Sequence, residues 1–179
     1  ASNLGLMFDS DGVPTRTGNF HGGLSIAPYG VFPAKDGYTS IICNNDTHWD
    51  RLLDAMGRAD LKDDPRYTTM AARVGNLTEV TELISEWSAT LDRDDIMDRL
   101  NKARVPCGSV KDLNEVVEDE NLHARGMIRW ITDAEGRRSL AAASPLHIDG
   151  VNQVDYQLPP GIDANREEIL AELRARKKP

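Results

Sequence analysis

Cysteine, positive charge and long apolar runs are all scarce in this sequence, and each shortage excludes something. Cys43 and Cys107 are the only cysteines in 179 residues, and neither belongs to a C-x-x-C pair. A disulfide scaffold is therefore excluded, and two sparse thiols suit a reducing cytoplasm. Lysine and arginine number 21 against 29 aspartates and glutamates, which leaves a net charge of -8. An acidic surface repels phosphate backbones and anionic lipid, so neither nucleic acid nor a membrane is expected as a partner. No apolar stretch approaches the ~20 residues of a membrane-spanning helix. The opening segment Ala1-Ser2-Asn3-Leu4-Gly5-Leu6-Met7 has no basic region and is not a signal peptide. With no initiating methionine, the chain is expected to start inside a longer protein.

Familiar catalytic signatures are missing as well. There is no P-loop, no G-x-G-x-x-G and no G-x-S-x-G nucleophile elbow. His21, His48, His123 and His147 are scattered relative to the two cysteines, without the close pairs that announce zinc, and no metal is expected. Asp9-Ser10-Asp11-Gly12 begins like a calcium loop, but Gly12 comes too early and Phe20 stands where the bidentate glutamate belongs. Cys107-Gly108-Ser109 matches the start of a papain-type signature, yet Val110 and Lys111 break it, so Cys107 is expected to be packed and inert. The carboxylate clusters Asp63-Asp64, Asp94-Asp95 and Glu118-Asp119-Glu120 fall at helix ends or on polar faces, where they read as solvated charge.

What is present describes a folded chain, with 40% hydrophobic and 28% charged residues. Residues 1–28 carry Gly5, Gly12, Pro14, Gly18, Gly22, Gly23 and Pro28 with little periodicity, the pattern of an extended arm. Tyr29 to Ala34 and Tyr38 to Cys43 read as strands joined by Lys35-Asp36-Gly37, where aspartate before glycine supplies the positive dihedrals of a hairpin turn. Helices follow. Asp46 is placed to cap one with Trp49, Leu52, Leu53 and Met56 on a single stripe and Gly57 at its end. Asn76 and Glu79 form a capping-box pattern ahead of Val80, Leu83, Ile84 and Trp87. Asp92 opens a third helix carrying Ile96, Leu100 and Ala103, stopped before Pro106. Asp112 and Glu115 repeat the box for a short helix.

Met127 to Thr132 and Arg137 to Ala143 then read as strands across Asp133-Ala134-Glu135-Gly136. After an irregular stretch from Gly150 to Gly161, Asn165 and Glu168 box a final helix. The sum is an α+β fold, a small antiparallel sheet of two hairpins with a cluster of helices, flanked by extended N- and C-terminal arms. Apolar side chains of the arms, such as Leu6, Phe8, Tyr156, Leu158 and Ile162, are expected to bury against another chain or domain. His21-Gly22-Gly23 has the amide-rich look of an oxyanion loop but lacks the partner elbow. What survives is a mobile loop whose amides approach an anionic or carbonyl ligand.

Three stretches say more together. Gly18-Asn19-Phe20-His21 is followed by Ala27-Pro28-Tyr29-Gly30-Val31-Phe32-Pro33-Ala34-Lys35-Asp36-Gly37-Tyr38. Asn45-Asp46, Trp49 and Met56-Gly57-Arg58 lead to Asp64-Pro65-Arg66-Tyr67 and Arg73-Val74-Gly75-Asn76. Val105-Pro106-Cys107-Gly108-Ser109-Val110 precedes Ala124-Arg125-Gly126-Met127. In this order and spacing the series resembles the class III CoA-transferases, the family of formyl-CoA transferase and carnitine CoA-transferase, with alpha-methylacyl-CoA racemase as a relative.

The resemblance implies residues 1–28 as a linker from an absent large N-terminal domain, 29–149 as the small α/β domain, and 150–179 as a tail with a terminal helix. It implies an interlocked homodimer that takes acyl-CoA and a carboxylic acid as substrates, with coenzyme A as substrate and no cofactor. In the family an aspartate of the large domain attacks the acyl-CoA thioester to give an acyl anhydride. The released thiolate converts this to an aspartyl-CoA thioester, which passes CoA to the acceptor acid. That aspartate lies upstream of every matched residue, so no catalytic residue is assigned here and the 179 residues alone are expected to be inactive. Gly22 and Gly23 fall in the region of the family's glycine-rich loop that covers the intermediate, with Leu24 following where the family's glycine run is longer. His21 and Tyr29 flank it, and the four are the substrate-binding candidates. The rivals are a free-standing protein-interaction module derived from this domain, or part of an acyl-CoA racemase.

Overall fold

Alternation of apolar side chains builds the first hairpin. In the computed structural model, which describes residues 16–133, 136–150 and 158–176, β1 (Tyr29–Ala34) and β2 (Gly37–Ile42) pair antiparallel from Tyr29 opposite Ile42 to Ala34 opposite Gly37. Phe32, Thr39 and Ile41 point to one face and are buried, while Tyr29, Val31 and Tyr38 on the other are exposed. The turn differs from the expectation in one respect. Its positive dihedral, 148°, falls on Gly37 alone, and Asp36 turns its carboxylate to accept the backbone N–H of Arg93 at 2.8 Å. A third strand, β3 (Cys107–Val110), lies against β2 with Tyr38 opposite Val110 and Ile41 opposite Cys107, giving the order β1-β2-β3. Four residues behind a proline carry too little pattern to announce a strand, and pairing with β2 supplies what periodicity does not.

Helices cover the buried face of this sheet. The first, α1 (Asp46–Met56), buries Trp49, Leu52 and Leu53 and stops at Gly57, whose φ of 73° only glycine adopts without strain. Its cap is Asn45 rather than Asp46. The Asn45 side chain accepts from the N–H of His48 at 2.8 Å, leaving Asp46 inside the first turn. After a short 3-10 turn (Ala59–Leu61) come α2 (Met70–Gly75), α3 (Leu77–Ser88) and α4 (Arg93–Lys102).

Two further expected caps are corrected. Asn76 occupies the cap position of α3 without a side-chain cap bond, because its amide donates instead to the carbonyls of Arg66 and Ala72. Asp92 likewise precedes α4 without capping it; Asp36, reaching across from the hairpin, takes that place. The core gathers Phe32, Ile41, Cys43, Trp49, Leu52, Leu53, Leu61, Tyr67, Val80, Ile84, Ile96, Leu100 and Val105. At roughly 1.5–3 kcal/mol for each large apolar side chain removed from water, such a set is ample for a unit of this size.

The chain separates into two units, Ala1–Val110 and Lys111–Pro179, and the second is built differently. It contains α5 (Leu113–Val117), α6 (Glu120–Ala124), a hairpin of β4 (Ile128–Thr132) and β5 (Arg138–Ala142) in a sheet of its own, and α7 (Arg166–Arg176). The capping box of α5 forms as expected, with Asp112 accepting from the Glu115 N–H at 2.9 Å and Glu115 accepting from the Asp112 N–H at 2.8 Å. Not one described residue of this unit is buried. Leu113, Trp130, Leu146, Ile148, Ile169 and Leu173 are exposed, and Ile162 is wholly so. Of the arm residues expected to bury, Leu158 is half-buried, and Leu6, Phe8 and Tyr156 lie outside the described residues. No helix among the described residues is long and apolar enough to cross a membrane.

Candidate functional site

The four residues singled out from the sequence occupy one short segment that leads into β1. The His21 carbonyl accepts the N–H of Leu24 at 2.9 Å, closing a turn across Gly22 and Gly23. Gly23 carries φ of 91°, the left-handed position such a turn assigns to glycine. Leu24 follows at φ of 48°, a conformation that costs an ordinary side chain about 1–2 kcal/mol. The loop ends by bringing its flanks together: the rings of His21 and Tyr29 meet edge to face with centroids 5.0 Å apart. Ser25 Oγ lies 3.2 Å from His21 Nδ1 and fixes the other side of the imidazole.

A buried cation anchors this segment. Arg73, fully buried, donates from Nε to the Ala27 carbonyl at 2.8 Å, from Nη1 to the Tyr67 carbonyl at 2.8 Å, and from Nη2 to Asp46 Oδ1 at 2.7 Å. Its guanidinium also lies over Trp49, 5.3 Å from the ring centre. The Pro28 carbonyl accepts the N–H of Cys43 at 2.9 Å, and Asn19 Nδ2 donates to the Val31 carbonyl at 3.1 Å. Sequence reasoning quoted Arg73 and Asn19 as family positions without giving them work. The available signal was an arginine in the middle of a short helix that is otherwise small and apolar, Met70-Ala71-Ala72-Arg73-Val74.

Beside the loop, Asn19, Phe20, Tyr29, Gly30, Leu77 and Thr81 line a cleft of about 10 Å³, room for no more than a single water. No acyl group fits there. The thiols are poor nucleophiles. Burial pushes the Cys43 thiol up to about 12 despite the opposing charge of Arg73, and burial raises that of Cys107 as well. One carboxylate in each of two clusters, Asp64 and Asp119, is engaged structurally. Asp64 is held below the usual carboxylate range by hydrogen bonds from the Arg66 guanidinium and backbone. Asp119 accepts the N–H of Leu122 at the start of α6 and pairs with Lys111. Among the described residues, no three histidine, cysteine or carboxylate groups converge on a metal position.

The family model for CoA-transferase family III matches residues 3–166. The chain belongs to that family. Among its relatives, the formyl-CoA:oxalate CoA-transferase of Streptomyces avermitilis is 33% identical over 165 residues, covering 89% of this chain and 39% of the relative. The succinyl-CoA:mesaconate CoA-transferase of Haloarcula hispanica is 31% identical over 168 residues, covering 93% and 41% respectively. A CaiB/BaiF family protein from Brucella suis superposes with a TM-score of 0.77 at 31% identity, covering 97% of this chain and 44% of that one. The family III chain thus spans about two fifths of the length of the curated relatives it matches. The ordered motif series that suggested the family, Gly18 to Met127, lies wholly within the matched residues.

Proposed function

We propose that this chain is the small-domain portion of a class III CoA-transferase, acting on an acyl-CoA and a carboxylic acid. The family match over residues 3–166, together with relatives named for CoA transfer between carboxylic acids, is the observation that carries it. We divide the chain into a linker over residues 1–28, the small domain over 29–149 and a tail over 150–179. The carboxylate that becomes acylated belongs to the part of the family's longer chain outside these residues. Within this chain Gly22 and Gly23 give the backbone access to that intermediate, and His21 and Tyr29 form the loop's rigid flank. A closing glycine turn keeps water from a hydrolysable anhydride, which is what separates transfer from thioester hydrolysis.

The uncovered apolar side chains of the Lys111–Pro179 unit support a partner surface for the rest of the protein and for a second subunit. The two free thiols fit a cytoplasmic location. The decisive experiment assays the complete protein with formyl-CoA and succinyl-CoA donors against a panel of carboxylic acids, beside the 179-residue chain. Transfer by the complete protein and none by the chain is expected. Transfer by the chain alone refutes the division of labour, and loss of a substrate α-proton to solvent without transfer assigns the protein to racemase chemistry. In the complete protein, Gly23→Ala raises hydrolysis of the thioester relative to transfer.

A further inference from the structure

We propose that the outer face of the β1-β2-β3 sheet is the surface on which the remainder of the complete protein seats, with the glycine turn at its edge. Strand register puts the face together. Tyr29 and Val31 share it along β1, Tyr38 joins them from β2, and Val110 lies opposite Tyr38 on β3. All four are exposed, by 38% to 56%. Pro33, Ser40, Ile42 and Gly108 fill the positions between, so none of the eight outward residues is charged. In a chain with 28% charged residues, about two of eight would be expected to carry charge. Two of the chain's four tyrosines stand here. Loss of charge with enrichment in tyrosine marks the core of a protein interface rather than a solvated surface. Charge returns at the margin, with Lys35 and Asp36 exposed at the hairpin turn.

Two observations choose the occupant. The first is size. From Tyr29 to Pro33 the face runs about 13 Å, and three strands span about 10 Å, so its exposed side chains offer on the order of 400 Å². A partner held by contacts alone needs about 800 Å² from each side. A tethered domain needs less, because the tether supplies its effective concentration. The chain spans about two fifths of the length of the curated relatives it matches, and a protein of their length has room for such a domain. The second observation is continuity with the loop. Tyr29 begins the face and also meets the His21 ring edge to face at 5.0 Å, so a surface laid on Val31 and Tyr38 comes up against the turn of Gly22 and Gly23. One docked surface thus covers the tyrosines and brings its own groups within reach of the loop amides. That these groups include the acylated carboxylate rests on the transferase proposal; the seating of the face does not.

The test reads the face in the complete protein beside the 179-residue chain. Val31→Cys places a thiol on the face, and peptide mass mapping separates its alkylation from that of Cys43 and Cys107. Alkylation at position 31 is expected to be about tenfold slower in the complete protein than in the chain. A benzophenone amino acid in place of Tyr38 is expected to cross-link, on irradiation of the complete protein, to a peptide outside these 179 residues. Sedimentation should find the chain by itself monomeric. Equal alkylation rates overturn the proposal, as do cross-links confined to residues 1–179. A chain that dimerises and shields the thiol at position 31 also overturns it and makes a second copy the occupant. Shielding and outside cross-links in a complete protein that transfers no CoA uphold the seating and refute the transferase reading. Transfer with an unshielded thiol does the reverse.

Discussion

Replacing Arg73 by methionine tests the account of the loop most directly. Methionine keeps an apolar stem of similar length, but removes the guanidinium that lies over Trp49 and every donor it aims at Ala27, Tyr67 and Asp46. Two of those acceptors are backbone carbonyls, each costing about 1–3 kcal/mol when left without a donor in a buried place. Removing a buried charge returns part of its desolvation penalty, so the net loss is set at about 3 kcal/mol. The third acceptor matters less. The Asp46 side chain is 55% exposed, water replaces its partner, and Asp46→Asn should cost under about 1 kcal/mol. Arg73→Lys should lie close to Arg73→Met, since one ammonium on a flexible stem cannot serve three acceptors spread across a planar fork. Urea unfolding of the chain reads these differences as midpoint shifts at constant slope. Amide exchange reads the local consequence: the N–H of Leu24, which donates to the His21 carbonyl, should exchange faster in Arg73→Met even where unfolding is negligible. An Arg73→Met chain within about 0.5 kcal/mol of the parent, or an Asp46→Asn chain as weak as Arg73→Met, refutes the reasoning, because the carbonyl bonds would then not carry the anchor.

Because burial raises the Cys43 thiol from near 9 to about 12, the unfolded chain loses its proton first. Stability is therefore complete below pH 9 and is lost as pH rises toward 12, and Cys43→Ala flattens that part of the urea-midpoint profile. In the folded chain iodoacetamide should label half-buried Cys107 before buried Cys43. Asp36 is held below its ordinary value, chiefly by the Arg93 backbone N–H, so it stabilises the folded chain above the usual carboxylate range. Asp36→Ala should be less stable near neutrality, and the gap should close as acid protonates the carboxylate. Gly57→Ala meets no steric neighbour but inherits φ of 73°, and should cost about 1 kcal/mol by thermal or urea unfolding. A neutral outcome would mean that the end of α1 relaxes.

Much of the fold could be read from the residues in order. The first hairpin, the apolar stripes of α1, α3 and α4, and the capping box of α5 all follow from periodicities and side-chain reaches that span a few neighbours. The misassigned caps mark where that logic stops. Asn76 has the right spacing to Glu79 for a box, yet both side chains are taken by groups the sequence does not place beside them. Asn76 serves the Arg66 and Ala72 carbonyls, and Glu79 accepts from Arg66 and Tyr67. Asp92 loses its role to Asp36, 56 positions earlier, because packing brings the hairpin turn onto the start of α4. Strand β3 was invisible for a similar reason: its four residues become a strand only once β2 offers them an edge.

By itself the amino-acid order determined the family, the helices α1, α3, α4, α5 and α7 but not the short α2 and α6, the hairpins, and the glycine turn with its flanking histidine and tyrosine. These depend on local dihedral preferences, on the spacing of apolar side chains and on motifs continuous along the chain. Tertiary structure alone decided that Arg73 ties the loop's Ala27 to the core, that Asp36 serves a helix far along the chain, and that Val110 joins Tyr29, Val31 and Tyr38 on one face. A hydrogen bond or a shared face between distant residues exists only after the chain has folded back on itself. Buried donors then take whichever acceptors the packing has brought near.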